Sequence, residues 1–139
     1  LAAGKVVILD RFFLSTYAYQ VVGRGLPEAE IRAANKLATG GLVPDLTILL
    51  DLPVALGMQR ADTRGSRDRM EQSGDAFHTR VSEAFGSFIS SDWQASHPEC
   101  GHIVRVDSTG TQETVFSIVA GVLIERFPET FPVLKEFQK

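Results

Sequence analysis

At 139 residues and 44% hydrophobic side chains, the chain is long enough for one domain with a real core and lacks the composition of a disordered segment. Its formal net charge of −3 gives no general attraction to a nucleic-acid backbone or an anionic membrane, so any phosphate binding has to be local. No apolar run approaches the roughly 20 residues that cross a bilayer, the start at Leu1 to Lys5 lacks a signal-peptide pattern, and the single Cys100 can form neither an internal disulfide nor part of a zinc spacing.

The first element in the chain is Val6-Val7-Ile8-Leu9, a β-branched run without alternation that predicts a strand buried on both faces. Asp10 and Arg11 follow at its carboxyl end, where open α/β sheets bind ligands. A carboxylate there suits a magnesium ion, held directly or through water, a pairing with Arg11, or a helix cap. Arg11 offers a planar fork for phosphate oxygens or an ordinary surface ion pair. Ser15 is the expected cap of a helix carrying Thr16, Tyr19 and Gln20 on one face, and that face can hold a nucleobase or pack into a core.

Gly23-Arg24-Gly25 breaks that helix, and Pro27 opens another through Ile31, Ala34 and Leu37, stopped by Gly40-Gly41. Leu46 to Leu52 predicts a second fully buried strand, so that strand, helix and strand form a parallel βαβ unit. Pro53 starts a helix that runs to Arg60. Arg60, Arg64, Arg67 and Arg69 then stand among Asp62, Asp68 and Glu71, interrupted by Gly65 and Ser66. Residues 60–74 predict a mobile lid whose arginines close over transferring phosphates, or a self-paired charged loop.

From Asp75 a single long helix is expected, with Phe77, Val81, Phe85, Phe88 or Ile89, and Trp93 as its core stripe and His78 on its polar flank. None of His78, His97 and His102 has a neighbour at a spacing that suggests catalysis. Ile103 to Val106 predicts a last strand, Asp107 to Gly110 a loop, and Val115, Ile118, Val119, Val122 and Leu123 the apolar face of a closing helix.

The motifs Asp10-Arg11-x-x-x-Ser15-Thr16-x-Ala18-Tyr19-Gln20, Gly23-Arg24-Gly25, Pro44-Asp45-Leu46-Thr47, Leu50-Asp51-Leu52, Gly57, Arg60, Arg64-Gly65 and Asp68-Arg69-x-Glu71, in this order, resemble bacterial thymidylate kinase. The resemblance implies a three-layer α/β/α P-loop NTPase fold of the nucleoside monophosphate kinase type, with a parallel sheet and a single domain over residues 1–139. It implies transfer of the ATP γ-phosphoryl group to dTMP, giving dTDP and ADP for dTTP biosynthesis, with Mg2+, in a cytoplasmic homodimer that needs neither membrane nor nucleic acid.

By position, Asp10 resembles the residue near magnesium and Arg11 the ligand of the acceptor phosphate. Thr16 and Gln20 resemble positions that touch the thymine edge, Ser15 a further substrate-binding position, and Tyr19 the one that crowds the sugar where a ribose carries its 2′-hydroxyl. Arg64, Arg67 and Arg69 resemble the catalytic lid arginines, and Arg60, Arg64, Arg69, Asp107, Ser108 and Thr109 the ATP side.

Two departures stand out. Phe12 replaces the Tyr or His frequent in that family, and the phosphate loop G-x-x-x-x-G-K-[ST] does not occur in the sequence. With no initiating methionine, the chain reads as the carboxyl-terminal part of such a kinase, expected to be inactive by itself. The alternatives are a non-catalytic nucleotide-binding module and a related kinase for another nucleoside or nucleoside monophosphate.

Overall fold

Helices dominate the computed structural model, which describes residues 2–63, 75–132 and 134. These fall into two units, residues 2–45 with 75–101, and residues 46–63 with 102–132 and 134.

The first unit starts with an irregular stretch. Val6 to Leu9 form no strand and are exposed, Ile8 to 84%, which corrects the expectation of a buried strand and of a βαβ unit built on it. A β-branched run supplies only local preference, whereas a strand exists through a ladder. Among the described residues the ladder joins two other segments.

Helix α1 (Phe13–Thr16) passes directly into a π-helical stretch (Tyr17–Gly23). Ser15 therefore lies inside the helix and does not cap it. The start is set by burial: Phe13, Leu14, Tyr17 and Ala18 are all in the core. Each large apolar side chain contributes roughly 1.5–3 kcal/mol on burial, against about 1 kcal/mol for a cap.

Helix α2 (Glu28–Thr39) follows its sequence signals closely. Pro27 precedes it, Glu28 and Glu30 sit in its first turn as the helix dipole favours, and Gly40 closes it in the left-handed conformation. It buries no residue fully, and Leu37 is 87% exposed.

The expected long helix is divided into α4 (Asp75–Ser87) and α5 (Ser91–Ser96). Serines cause the break, because their hydroxyls compete for backbone groups. Ser87 Oγ donates to the Ala84 carbonyl at 2.7 Å, and Ser90 caps α5 by accepting from the Trp93 N–H at 3.3 Å. Val81, Ala84 and Phe88 of α4 are buried, while Trp93 is turned to stack on His97, with ring centroids 3.8 Å apart and planes 7° from parallel. A 3-10 turn (Pro98–Cys100) ends the unit with Cys100 buried.

In the second unit, β1 (Thr47–Asp51) and β2 (Ile103–Asp107) pair in parallel, in a register that runs from Thr47 opposite Ile103 to Asp51 opposite Asp107. Both strands fall where the sequence put them. Full burial holds for Ile103 and Val106, but no residue of β1 is fully buried and Leu50 is 54% exposed. A two-stranded ladder leaves its outer edges open. Helix α3 (Val54–Thr63) follows β1, and α6 (Gln112–Arg126) follows β2. Thr111 caps α6 by accepting from the Thr114 N–H at 3.3 Å. The helix is apolar on most sides, and its one fully buried residue is Ala120 rather than the expected stripe; Ile118 is 41% exposed.

Candidate functional site

The expected acceptor residues gather at the start of the first unit. Arg11 is held at φ 63°, the left-handed region that costs a side chain with a Cβ about 1–2 kcal/mol. In that conformation its guanidinium lies over the ring of Tyr19, 5.4 Å from the centroid, within cation–π range. Tyr19 is packed in turn against Phe77 at 6.1 Å and Phe85 at 6.2 Å between centroids. Thr16, Tyr19 and Gln20 are all half-buried. Gln20 Oε1 accepts from Arg24 Nη1 at 3.2 Å, which orients the amide.

The helix type changes between Thr16 and Tyr17, so the α-helical spacing that placed Thr16, Tyr19 and Gln20 on one face does not apply. The residue that this stretch turns into the core is Tyr17, 2% exposed. Its hydroxyl donates to Glu99 Oε1 at 2.5 Å, and Arg32 Nε lies 3.0 Å from the same carboxylate oxygen. Arg32 also reaches Glu28 Oε1 at 3.4 Å and the Ser96 carbonyl at 3.0 Å. His97 completes the set, with Nε2 3.1 Å from Glu28 Oε1 and Nδ1 2.9 Å from the Trp93 carbonyl oxygen. Burial, followed by the Glu99 carboxylate, pushes the Tyr17 hydroxyl well above its ordinary range, and the same two causes push the Cys100 thiol up to about 12.

Sequence reading missed this network. Only the Glu28 and Arg32 pair, four apart on a helix, carried a local signal. His78 is also less solvated than a polar flank would make it, since its Nε2 is buried with no hydrogen-bond partner among the described residues.

In the second unit, Arg60 in the last turn of α3 meets the loop after β2. Its Nη1 donates to the Ser108 carbonyl at 2.9 Å, and its Nη2 to those of Thr109 at 2.8 Å and Gly110 at 3.1 Å. Ser108 is tied to β1 as well, its N–H and Oγ–H both donating to the Asp51 carbonyl at 2.9 and 2.7 Å. The Thr109 N–H donates to Asp107 Oδ1 at 2.9 Å and holds that carboxyl below its ordinary range. Arg105 Nε pairs with Asp51 Oδ2 across the ladder at 2.8 Å.

Asp10 is exposed, and the described residues contain no group of three metal-ligating side chains. Arg64, Arg67 and Arg69, with most of the 60–74 segment, lie outside the described residues. No helix among the described residues is long and apolar enough to cross a membrane.

The sequence model of the family described as Thymidylate kinase matches residues 1–95. A thymidylate kinase of Synechococcus sp. is 44% identical over 128 residues, which make up 92% of this chain and 57% of that protein. One of Trichodesmium erythraeum is 39% identical over 129 residues, 93% of this chain and 54% of that protein. One of Pseudomonas fluorescens is 54% identical over 85 residues, 61% of this chain and 40% of that protein. The chain thus spans about half the length of the curated relatives it matches. The match takes in the Asp10 to Gln20 segment and the β1 strand, and the parallel ladder accords with the α/β fold of P-loop NTPases to which that family has been assigned. The chain belongs to the thymidylate kinase family.

Proposed function

We propose that the full-length protein carrying this chain transfers the γ-phosphoryl group of ATP to dTMP, giving dTDP and ADP, and that the two units serve one kinase domain. The observation that carries this reading is Arg11, held left-handed with its guanidinium over Tyr19 at the head of the helix that bears Thr16 and Gln20. Strained conformations persist where the surroundings over-determine them, and they cluster at functional sites.

In this reading Arg11 takes the acceptor phosphate through charge-assisted hydrogen bonds. Thr16 and Gln20 offer hydroxyl and amide to the thymine edge, Ser15 supports them, and the Tyr19 ring fills the space a ribose 2′-hydroxyl would need. Arg64, Arg67 and Arg69 neutralise charge on the transferring group, and Arg60 with Asp107, Ser108 and Thr109 serves the ATP side. Phosphoryl transfer asks little covalent chemistry of the protein, so alignment and charge stabilisation supply most of the rate.

An exposed single carboxylate fits Mg2+, which keeps several waters and takes one or two carboxylates together with substrate phosphates; Asp10 is the residue that would hold it. When bound, the ion neutralises phosphate charge. Cytoplasmic location and a homodimer belong to the same proposal. The 139 residues without a phosphate loop are expected to be inactive when expressed alone.

The test is ADP release by the full-length protein with ATP and each of several nucleoside monophosphates. A preference for dTMP of at least an order of magnitude is the expected result. Equal rates with uridine or adenosine monophosphate would overturn the thymidylate assignment, and ATP-independent nucleotide binding without turnover would favour a binding module.

A further inference from the structure

We infer that Tyr19 is a positioning residue for Arg11: its ring face holds the guanidinium where the acceptor phosphate is met, so the ring serves phosphate binding as well as sugar discrimination. The inference rests on the acceptor reading above, in which Arg11 is the phosphate ligand.

An exposed arginine loses rotamer freedom when it closes on an anion, and part of that loss is removed if the side chain is already held in one place. Two features hold Arg11. Its backbone lies at φ 63°, and its guanidinium carbon lies over the Tyr19 ring, 5.4 Å from the centroid. The chemistry of such a partner matters. A carboxylate fixes an arginine by neutralising it, and it competes with phosphate for the same N–H donors. An aromatic face attracts the cation through its quadrupole, so the charge that a phosphate needs is kept.

A ring positions another group only as well as it is itself positioned. Tyr19 is half-buried, and two rings of α4 meet it at different inclinations, Phe77 at 6.1 Å and 39°, Phe85 at 6.2 Å and 75°. Phe77 and Phe85 stand about two turns apart, so one face of α4 carries both. Phe77 is set close against Gly23 in turn, where a Cβ would lie 2.7 Å from its Cε2. Arg11 belongs to no helix or strand, and the ring connects it to helical structure. Support therefore runs from α4 through Tyr19 to the guanidinium.

Calorimetric titration of the full-length protein with dTMP and with thymidine isolates the phosphate. The ratio of the two affinities is the gain from the phosphate, and effects of a variant on the thymine or sugar cancel in it. Tyr19→Leu keeps an apolar side chain but has no π face. It should reduce the ratio about two- to fivefold, the scale of an exposed cation–π contact. Tyr19→Phe keeps the face, and its ratio should stay within about 1.5-fold of the parent's. In an Arg11→Ala background, Tyr19→Leu should leave the ratio unchanged, because the ring acts through the guanidinium. Should the leucine variant fail to fold, Tyr19→Met is measured in its place. A ratio equal to the parent's in Tyr19→Leu, or the same loss with and without Arg11, would overturn the inference and leave the ring a role at the sugar alone. Thymidine bound as tightly as dTMP by the parent protein would instead remove the acceptor reading, and the inference with it.

Discussion

Tyr17 and Glu99, 82 residues apart in sequence, meet through a hydroxyl-to-carboxylate hydrogen bond of 2.5 Å that joins the π-helical stretch to the turn after α5. Removing the hydroxyl leaves the carboxylate with Arg32 as its partner. Tyr17→Phe should therefore lower stability by roughly 1–3 kcal/mol, the cost of leaving a partly buried charged acceptor short of a donor. Urea unfolding of the full-length variant checks it, and an unchanged midpoint would show that the bond contributes nothing.

Alkaline pH should act on the same region. Both Tyr17 and Cys100 keep their protons to higher pH in the folded protein than their ordinary values of 10.0 and 9.0. The unfolded chain then loses protons that the folded chain retains, so stability is fully present below about pH 9 and falls as pH rises beyond it. The denaturation midpoint should be flat from about pH 7 to 8.5 and decline above that, with a shallower decline in Cys100→Val. A midpoint that rises between pH 9 and 11 would contradict the sign.

Gly23 closes the π-helical stretch against Phe77. A Cβ there would lie 2.7 Å from Phe77 Cε2 and 3.2 Å from the Ala18 carbonyl oxygen. Gly23→Ala should cost about 1–3 kcal/mol by overpacking, and Phe77→Leu should recover part of the loss in the double variant. Because Phe77 packs on Tyr19, the single variant should also weaken dTMP binding. Additive stability losses in the double variant would show that the two positions are not in contact.

Arg11→Gly separates strain from chemistry. Glycine adopts φ 63° without the steric cost borne by arginine but adds unfolded-state freedom, so stability should stay within about 1 kcal/mol of the parent. A lost charge-assisted phosphate contact of roughly 1.5–3 kcal/mol should raise KM for dTMP by about 10- to 150-fold. Unchanged acceptor kinetics would remove Arg11 from the site.

Much of this was readable in the sequence where the cause is local. Pro27, the early glutamates and Gly40 bound α2, and the apolar runs at 47–51 and 103–106 become the parallel pair. Val6 to Leu9 has the composition of a strand without forming one, because a strand depends on a distant ladder partner. The Ser87 to Ser91 cluster hides a helix break behind an unbroken apolar stripe, since the stripe reports burial and the serines report backbone competition. Tyr17 falls off the ligand face at 3.6 residues per turn, and only the π-helical winding accounts for its place in the core. The carbonyl partners of Arg60 lie 48 to 50 residues downstream, beyond any local pattern.

The π-helical winding of Tyr17–Gly23 also fixes the length of that segment. A π-helix places one more residue in each hydrogen-bonded turn than an α-helix does. Deleting a single residue would let the stretch rewind as an α-helix with its flanking turns nearly in place, because the lost residue and the tighter winding offset each other. What changes is the angle between neighbours inside the stretch, and with it the division by which Tyr17 meets Glu99 while Tyr19 meets Phe77 and Phe85. The residue count of the segment thus sets its winding, and the winding sets which ring meets which partner.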